Sequence, residues 1–182
     1  MEVFIFIFLM ILVSLRVHQR LTALKPQRTV ITATHPQDIM LFDYCSQCQS
    51  CCRIDEGYPQ LEITLSKSEK QRMGSLCIKT SCEFLGATGC TLGDEKPFGC
   101  QLYPLAYDPK TKNFFFDAAC PLMPTYRQQL NEPNSEASQH LSRMADVIHQ
   151  LAVDESEFLH QNFQVDSDYF DIQPLLPAKT KK

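Results

Sequence analysis

The sequence has no tryptophan, few glycines (6 in 182 residues) and no excess of positive charge. With 17 Lys and Arg against 21 Asp and Glu the net charge is −4, so no global basic field exists to gather nucleic acid. The single basic run, Lys179-Thr180-Lys181-Lys182, reads as a solvated tail. There is no Gly-rich phosphate loop, no Gly-x-Ser-x-Gly elbow and no His-x-x-x-His pair on a helix. Nucleotide, acyl-transfer and zinc-protease chemistry therefore lack their usual signatures. The five histidines are His18, His35, His140, His149 and His160. None stands at zinc-finger spacing from a cysteine, and each reads as a surface residue rather than a ligand. No internal repeat is evident.

Long apolar runs are also scarce. The one candidate, residues 3–15, makes a helix of roughly 20 Å, short of the ~30 Å hydrocarbon core. No Lys or Arg precedes it and no small-x-small cleavage site follows, which disfavours a secretory signal. Arg16 and Arg20 follow it, so insertion would keep the body in the cytoplasm, where thiols stay reduced. An inner-membrane anchor and a buried accessory helix are the competing readings.

Cysteine is what the sequence has in abundance. All nine lie between Cys45 and Cys120, a density above the roughly 8–10% that marks a cysteine-built scaffold. An odd count weakens a closed disulfide framework. So does Cys45-x2-Cys48-x2-Cys51-Cys52, because four crowded cysteines must share sparser partners downstream. Metal thiolates are favoured over disulfides and over free reactive thiols. Spacing by two residues lets a turning backbone aim successive sulfurs at one centre. The run resembles the opening of a bacterial ferredoxin pattern, but its fourth cysteine falls in the wrong place. Zinc ribbons need a second Cys-x2-Cys knuckle, and Cys82, Cys90, Cys100 and Cys120 are too widely spaced to supply one. Both an iron–sulfur cluster and Zn²⁺ stay open, and eight cysteines suffice for two ions. Adjacent Cys51 and Cys52 point apart, so they do not ligate one ion in the same way. Cys77 is the weakest candidate.

Around the cysteines, Ser66 and Glu69 form a capping box for a helix ending by Gly74. Gly86, Gly89, Gly93 and Gly99 make residues 83–99 a run of loops. Leu105–Tyr107 and Phe114–Phe116 flank Asp108-Pro109-Lys110-Thr111-Lys112-Asn113, which predicts a hairpin pairing Leu105 with Phe116 and Tyr107 with Phe114. That register returns Cys120 to the neighbourhood of Cys100, with Pro104 and Pro121 ending the ladder. Asn134 or Ser135 caps a helix to about Ala152, with Leu141, Met144, Ala145, Ile148 and Leu151 as its apolar stripe. Asp154-x-x-Glu157 opens a further helical stretch. The acids Asp154, Glu155, Glu157, Asp166, Asp168 and Asp171 read as a solvated face.

Tyr44-Cys45-Ser-Gln-Cys48-Gln-Ser-Cys51-Cys52, Leu65-Ser66-x2-Glu69, Cys82-Glu-Phe-Leu85, Gly89-Cys90-Thr-Leu and Lys96-Pro97-Phe-Gly-Cys100-Gln-Leu-Tyr103-Pro104 together resemble the CxxCxxCC, or YkgJ-like, family of zinc- or iron-chelating cysteine-cluster proteins. The resemblance covers roughly residues 40–125. Lys96 and Gln101 stand where the family usually has arginines. The resemblance implies a chelating site but no particular reaction.

The expected fold is α+β, small and loop-rich, with a metal-stapled cysteine core, a β-hairpin and flanking helices. The expected organisation is an apolar N-terminal segment (1–20), a linker (21–40, with at most a short strand at 29–34), a chelating domain (41–125), a helical extension (126–165) and a tail (166–182). The expected ligands are Cys45, Cys48, Cys51, Cys52, Cys82, Cys90, Cys100 and Cys120, holding an iron–sulfur cluster or Zn²⁺ in the cytoplasm. Two other functions compete. One is a redox or methyl-transfer enzyme akin to the flagellin lysine methylases, with Tyr103, Asp117 and Lys96 as nearby polar groups. The other is an assembly or metal-delivery partner held at the inner membrane by residues 3–15.

Overall fold

The computed structural model describes residues 41–175. The apolar run 3–15, the linker with its strand, His18, His35 and the basic tail lie outside the described residues. Within them the fold is α+β, with small antiparallel sheets set among helices. No helix among the described residues is long and apolar enough to cross a membrane.

The chain opens with a short helix α1 (Asp43–Cys48) and a 3-10 turn at Ser50–Cys52, so the cysteine run is itself helical. Gln49, between the two, takes the left-handed conformation at φ 53°. Strand β1 (Leu61–Glu62) pairs with β2 (Cys77–Ile78), and the helix α2 (Lys67–Met73) lies between them in sequence. The capping box forms as expected: Ser66 Oγ accepts from Glu69 N–H at 3.3 Å, and Glu69 Oε2 accepts from Ser66 N–H at 2.7 Å. Gly74 ends the helix.

The glycine-rich stretch is mostly turns, as expected, but it contains a two-stranded ribbon, β3 (Leu85–Gly86) with β4 (Gly89–Cys90). Helix α3 (Phe98–Leu102) carries Cys100. Strands β5 (Leu105–Asp108) and β6 (Asn113–Asp117) then form the hairpin in the expected register, Leu105 facing Phe116 and Tyr107 facing Phe114. A third strand, β7 (Ile172–Pro174), pairs antiparallel with β6. Its residues read as tail in the sequence, because a lone strand with one polar neighbour has no periodicity to detect.

Helices α4 (Met123–Gln129), α5 (Glu136–Asp154) and α6 (Ser156–Tyr169) complete the fold. Ser135 caps α5, accepting from Ser138 N–H at 3.2 Å and donating to Gln129 O at 2.7 Å. The buried line of α5 is Ala137, His140, Met144 and Ile148, with Leu141 and Leu151 half-buried. Ala145 is exposed, a correction to the expected stripe: it lies about 100° round the helix from Met144. Helix α6 begins one residue later than the expected cap at Asp154 implies. Glu155 precedes it without a side-chain cap, and its carboxylate instead accepts from Lys67 N–H at 2.8 Å.

One apolar core unites these parts. Leu102 and Leu105 from the cysteine-bearing half pack with Phe116, Tyr126, Met144 and Leu159. Burial of each such side chain contributes about 1.5–3 kcal/mol. The C-terminal helices are thus part of the scaffold that holds α3 and the hairpin, and through them Cys100 and Cys120.

His140 corrects its surface assignment. It is buried, with Nδ1 2.8 Å from Tyr126 Oη and Nε2 2.8 Å from Gln101 O. Both ring nitrogens are engaged, and burial lowers its pKa, so it is a neutral core residue. Helical spacing hid this, because a polar residue on an apolar line carries no sign of its partners.

Candidate metal centre

Local structure delivers the thiols in pairs. Cys45 and Cys48 are three apart on α1 and so share one face. Cys51 and Cys52 are successive in a 3-10 turn, where side chains diverge by about 120°. Cys82 is tied to that turn: its N–H donates to Cys52 O at 2.8 Å, and Arg53 bridges to Ser81. Leu85 N–H donates to Cys82 O at 3.1 Å, and Leu85 faces Cys90 across the β3–β4 ribbon. Gly89 sits at φ +106°, and a Cβ there would meet Ser46 Cβ at 3.1 Å. Only glycine allows β4 to pass this close to α1, which sets Cys90 beside the knuckle.

Two residues position α3. Glu69, besides its capping role, accepts from Phe98 N–H through Oε1 at 2.6 Å. Gly99 lets α6 approach, since a Cβ there would lie 2.8 Å from Asn162 Oδ1. Neither role has a signal in the sequence beyond a capping residue and a glycine. At the far end of the hairpin, Cys120 N–H donates to Asp117 O at 3.1 Å and Met123 N–H to Cys120 O at 3.1 Å.

Burial and neighbouring sulfurs set the ionisation of these thiols. Burial pushes Cys45 up to about 12, with the Cys120 and Cys48 sulfurs adding and Lys96 opposing. Burial also lifts Cys100 to about 12, reinforced by Cys52, Cys82 and Cys90. Cys82 rises through burial, with Cys52 and Cys90 adding to it. Cys120, only 6% exposed, rises to about 11 through burial, against hydrogen bonds from the Leu122 backbone and Tyr103, with Asp117 and Cys48 adding to the rise. A hydrogen bond between the adjacent thiols raises Cys51 and lowers Cys52 to about 7, and Lys96 and Arg53 help lower Cys52.

Cys120 is thus among the groups that raise Cys45, while Cys52, Cys82 and Cys90 are those that raise Cys100. Cys77 stands apart in kind: it faces Glu62 in the separate β1–β2 ribbon. All nine cysteines are free thiols.

The three polar groups expected near the cluster are there. Tyr103 Oη donates to Asp117 Oδ2 at 2.7 Å, and Ala119 N–H donates to Asp117 Oδ1 at 3.0 Å. Burial and the Cys120 and Asp117 charges hold Tyr103 well above the usual phenol range, so it stays protonated and donates. Lys96 is half-buried and acts on Cys45, Cys52 and Cys100. Asp166 departs from the solvated face expected of the C-terminal acids. Burial lifts it to about 8, against a hydrogen bond from Asn162 Nδ2 at 2.9 Å and with Asp117 adding to the rise. Of the others, Asp154, Glu157, Asp168 and Asp171 are exposed and Glu155 is half-buried.

As placed, no three His, Cys, Asp or Glu side chains among the described residues form a ready-made cage for a metal ion. The donor chemistry nonetheless fits one. Crowded, buried thiols resist ionisation, and a bound cation removes that resistance by replacing their protons. Sulfur donors select zinc, copper(I) or iron–sulfur centres over magnesium or calcium. No family model matches the chain, and no curated protein or solved structure matches it either.

Proposed function

We propose that residues 41–125 form a thiolate metal centre holding zinc or an iron–sulfur cluster through Cys45, Cys48, Cys51, Cys52, Cys82, Cys90, Cys100 and Cys120. The reading is supported by the crowding of buried thiols contributed by different elements. Burial and neighbouring sulfurs together raise Cys45, Cys82, Cys100 and Cys120, which come from four separate stretches of chain, while Cys77 sits in another ribbon. The metal pins segments that have little regular structure of their own, so binding free energy becomes folding free energy. Lys96 and Arg53 moderate the negative charge of the thiolates.

The test is anaerobic purification of the full chain, followed by a visible spectrum and elemental analysis. Stoichiometric zinc in a colourless protein, or iron with sulfide in a brown one, is the expected outcome. A folded protein free of metal, or one whose cysteines are joined in disulfides, refutes the proposal.

A further inference from the structure

We infer that His140 is a positioning residue for the metal centre: its buried imidazole ties the start of α1, helix α3 and helix α4 into one frame, and so sets the cysteines of these segments relative to one another. The inference rests on the metal-centre reading above and names a residue outside the thiols that builds the site.

Each tie reaches a cysteine through a short path. The Phe42 ring packs on the imidazole at 4.9 Å between centroids, and Phe42 O accepts from Cys45 N–H at 3.1 Å. His140 Nε2 lies 2.8 Å from Gln101 O, the carbonyl of the residue after Cys100. His140 Nδ1 lies 2.8 Å from Tyr126 Oη, on α4. Met123 N–H, at the start of that helix, donates to Cys120 O at 3.1 Å. Cysteine-bearing segments far apart in sequence thus meet at one side chain of α5. One turn earlier on the same face of α5, the Glu136 carboxylate accepts from Leu41 N–H and holds the entry to α1.

The partners fix the proton. A carbonyl only accepts, so Nε2 carries the hydrogen and donates to Gln101 O. In the neutral ring Nδ1 then accepts from the Tyr126 hydroxyl. Burial favours that neutral form. A residue that only filled space here would be apolar, because burying a polar ring without partners is costly. Both nitrogens are instead engaged by segments that lead to cysteines. The frame comes from a helix that lies beyond residues 41–125.

The test uses the full chain isolated anaerobically with its own metal. Metal lost to excess EDTA is followed by elemental analysis after desalting, and stability by urea unfolding, in the parent, His140→Phe, His140→Gln and Ile148→Ala. His140→Phe keeps a ring against Phe42 and deletes both hydrogen bonds. His140→Gln keeps a donor for Gln101 O. Ile148→Ala opens the buried line of α5 about two turns away and takes part in none of the ties. The inference predicts that His140→Phe loses its metal about tenfold or more faster than Ile148→Ala, the scale set by removal of an outer-shell partner. That difference exceeds what the urea midpoints account for, and His140→Gln recovers most of it. Metal loss that follows stability alone across the variants, or His140→Gln as labile as His140→Phe, overturns the inference and leaves the metal centre standing. If His140→Phe fails to fold, Tyr126→Phe decides in its place, since it deletes only the hydroxyl bonded to Nδ1. Metal loss from it no faster than from Ile148→Ala overturns the inference. A folded parent without metal overturns the metal-centre reading and the inference with it.

Discussion

Gly99→Ala places two opposing effects on the residue before Cys100. Alanine favours helix over glycine by at most about 1 kcal/mol in a helix interior, and Gly99 lies second in a helix of 5 residues. Against that, the new Cβ would sit 2.8 Å from Asn162 Oδ1, inside the contact distance real Cβ atoms show. Asn162 has little room to yield. It is buried and its amide donates to Asp166 Oδ2 at 2.9 Å. Overpacking of this kind costs about 1–3 kcal/mol, so the clash outweighs the propensity gain. The expected net loss is about 1 kcal/mol, or a urea midpoint lower by about 0.5 M at a slope of about 2 kcal/mol/M. Asn162→Ala removes the obstructing atom, so the double variant should recover the glycine-to-alanine gain. The coupling between the two sites is expected at about 1–2 kcal/mol. Urea unfolding followed by far-ultraviolet circular dichroism, with metal content matched across the four proteins, supplies the cycle. Gly99→Ala equal to or more stable than the parent, with additive effects in the double variant, would refute the close packing of α6 on α3.

Other consequences follow from the same structure. On the proposed metal centre, Cys45→Ser or Cys48→Ser is expected to strip the metal or unfold the protein, seen as loss of bound metal or of a cooperative melt; a stable, metal-replete variant contradicts this. Asp166, raised to about 8 in the fold from an ordinary 3.8, stabilises the protein fully only below its unfolded pKa, and that contribution is lost as pH rises through about 8. Thermal melts from about pH 5 to about pH 8 should therefore show the parent losing stability relative to Asp166→Asn, and parallel curves would refute the burial. Tyr126→Phe leaves His140 Nδ1 without its partner in the core and is expected to cost about 1–3 kcal/mol by chemical denaturation.

Local chemistry was legible in the sequence wherever the signal was itself local. The Ser66–Glu69 capping box, the Leu105–Phe116 register and the Ser135 cap each involve residues whose partners lie a few positions away or are fixed by one turn. The ribbon at Leu85–Cys90 was missed because two-residue strands carry no alternation. His140, Asp166 and Glu69 were misjudged or underread for another reason. Each is a polar residue whose role is set by distant surroundings: Gln101 O for His140, burial with the Asp117 charge adding for Asp166, Phe98 N–H for Glu69. The cysteine run led to the expectation of a sulfur site, and the hairpin that precedes Cys120 forms in the expected register. The Cys82–Cys52 backbone bond and the passage of Gly89 past Ser46, which hold the cysteine-bearing segments together, are not visible in spacing alone.

Metal-edge X-ray absorption on the anaerobically isolated full chain tests the central claim most directly. The account predicts a first shell of sulfur alone, four per metal and at about 2.3 Å if the metal is zinc. A shell of nitrogen and oxygen, or a folded protein with no metal edge to measure, would contradict it.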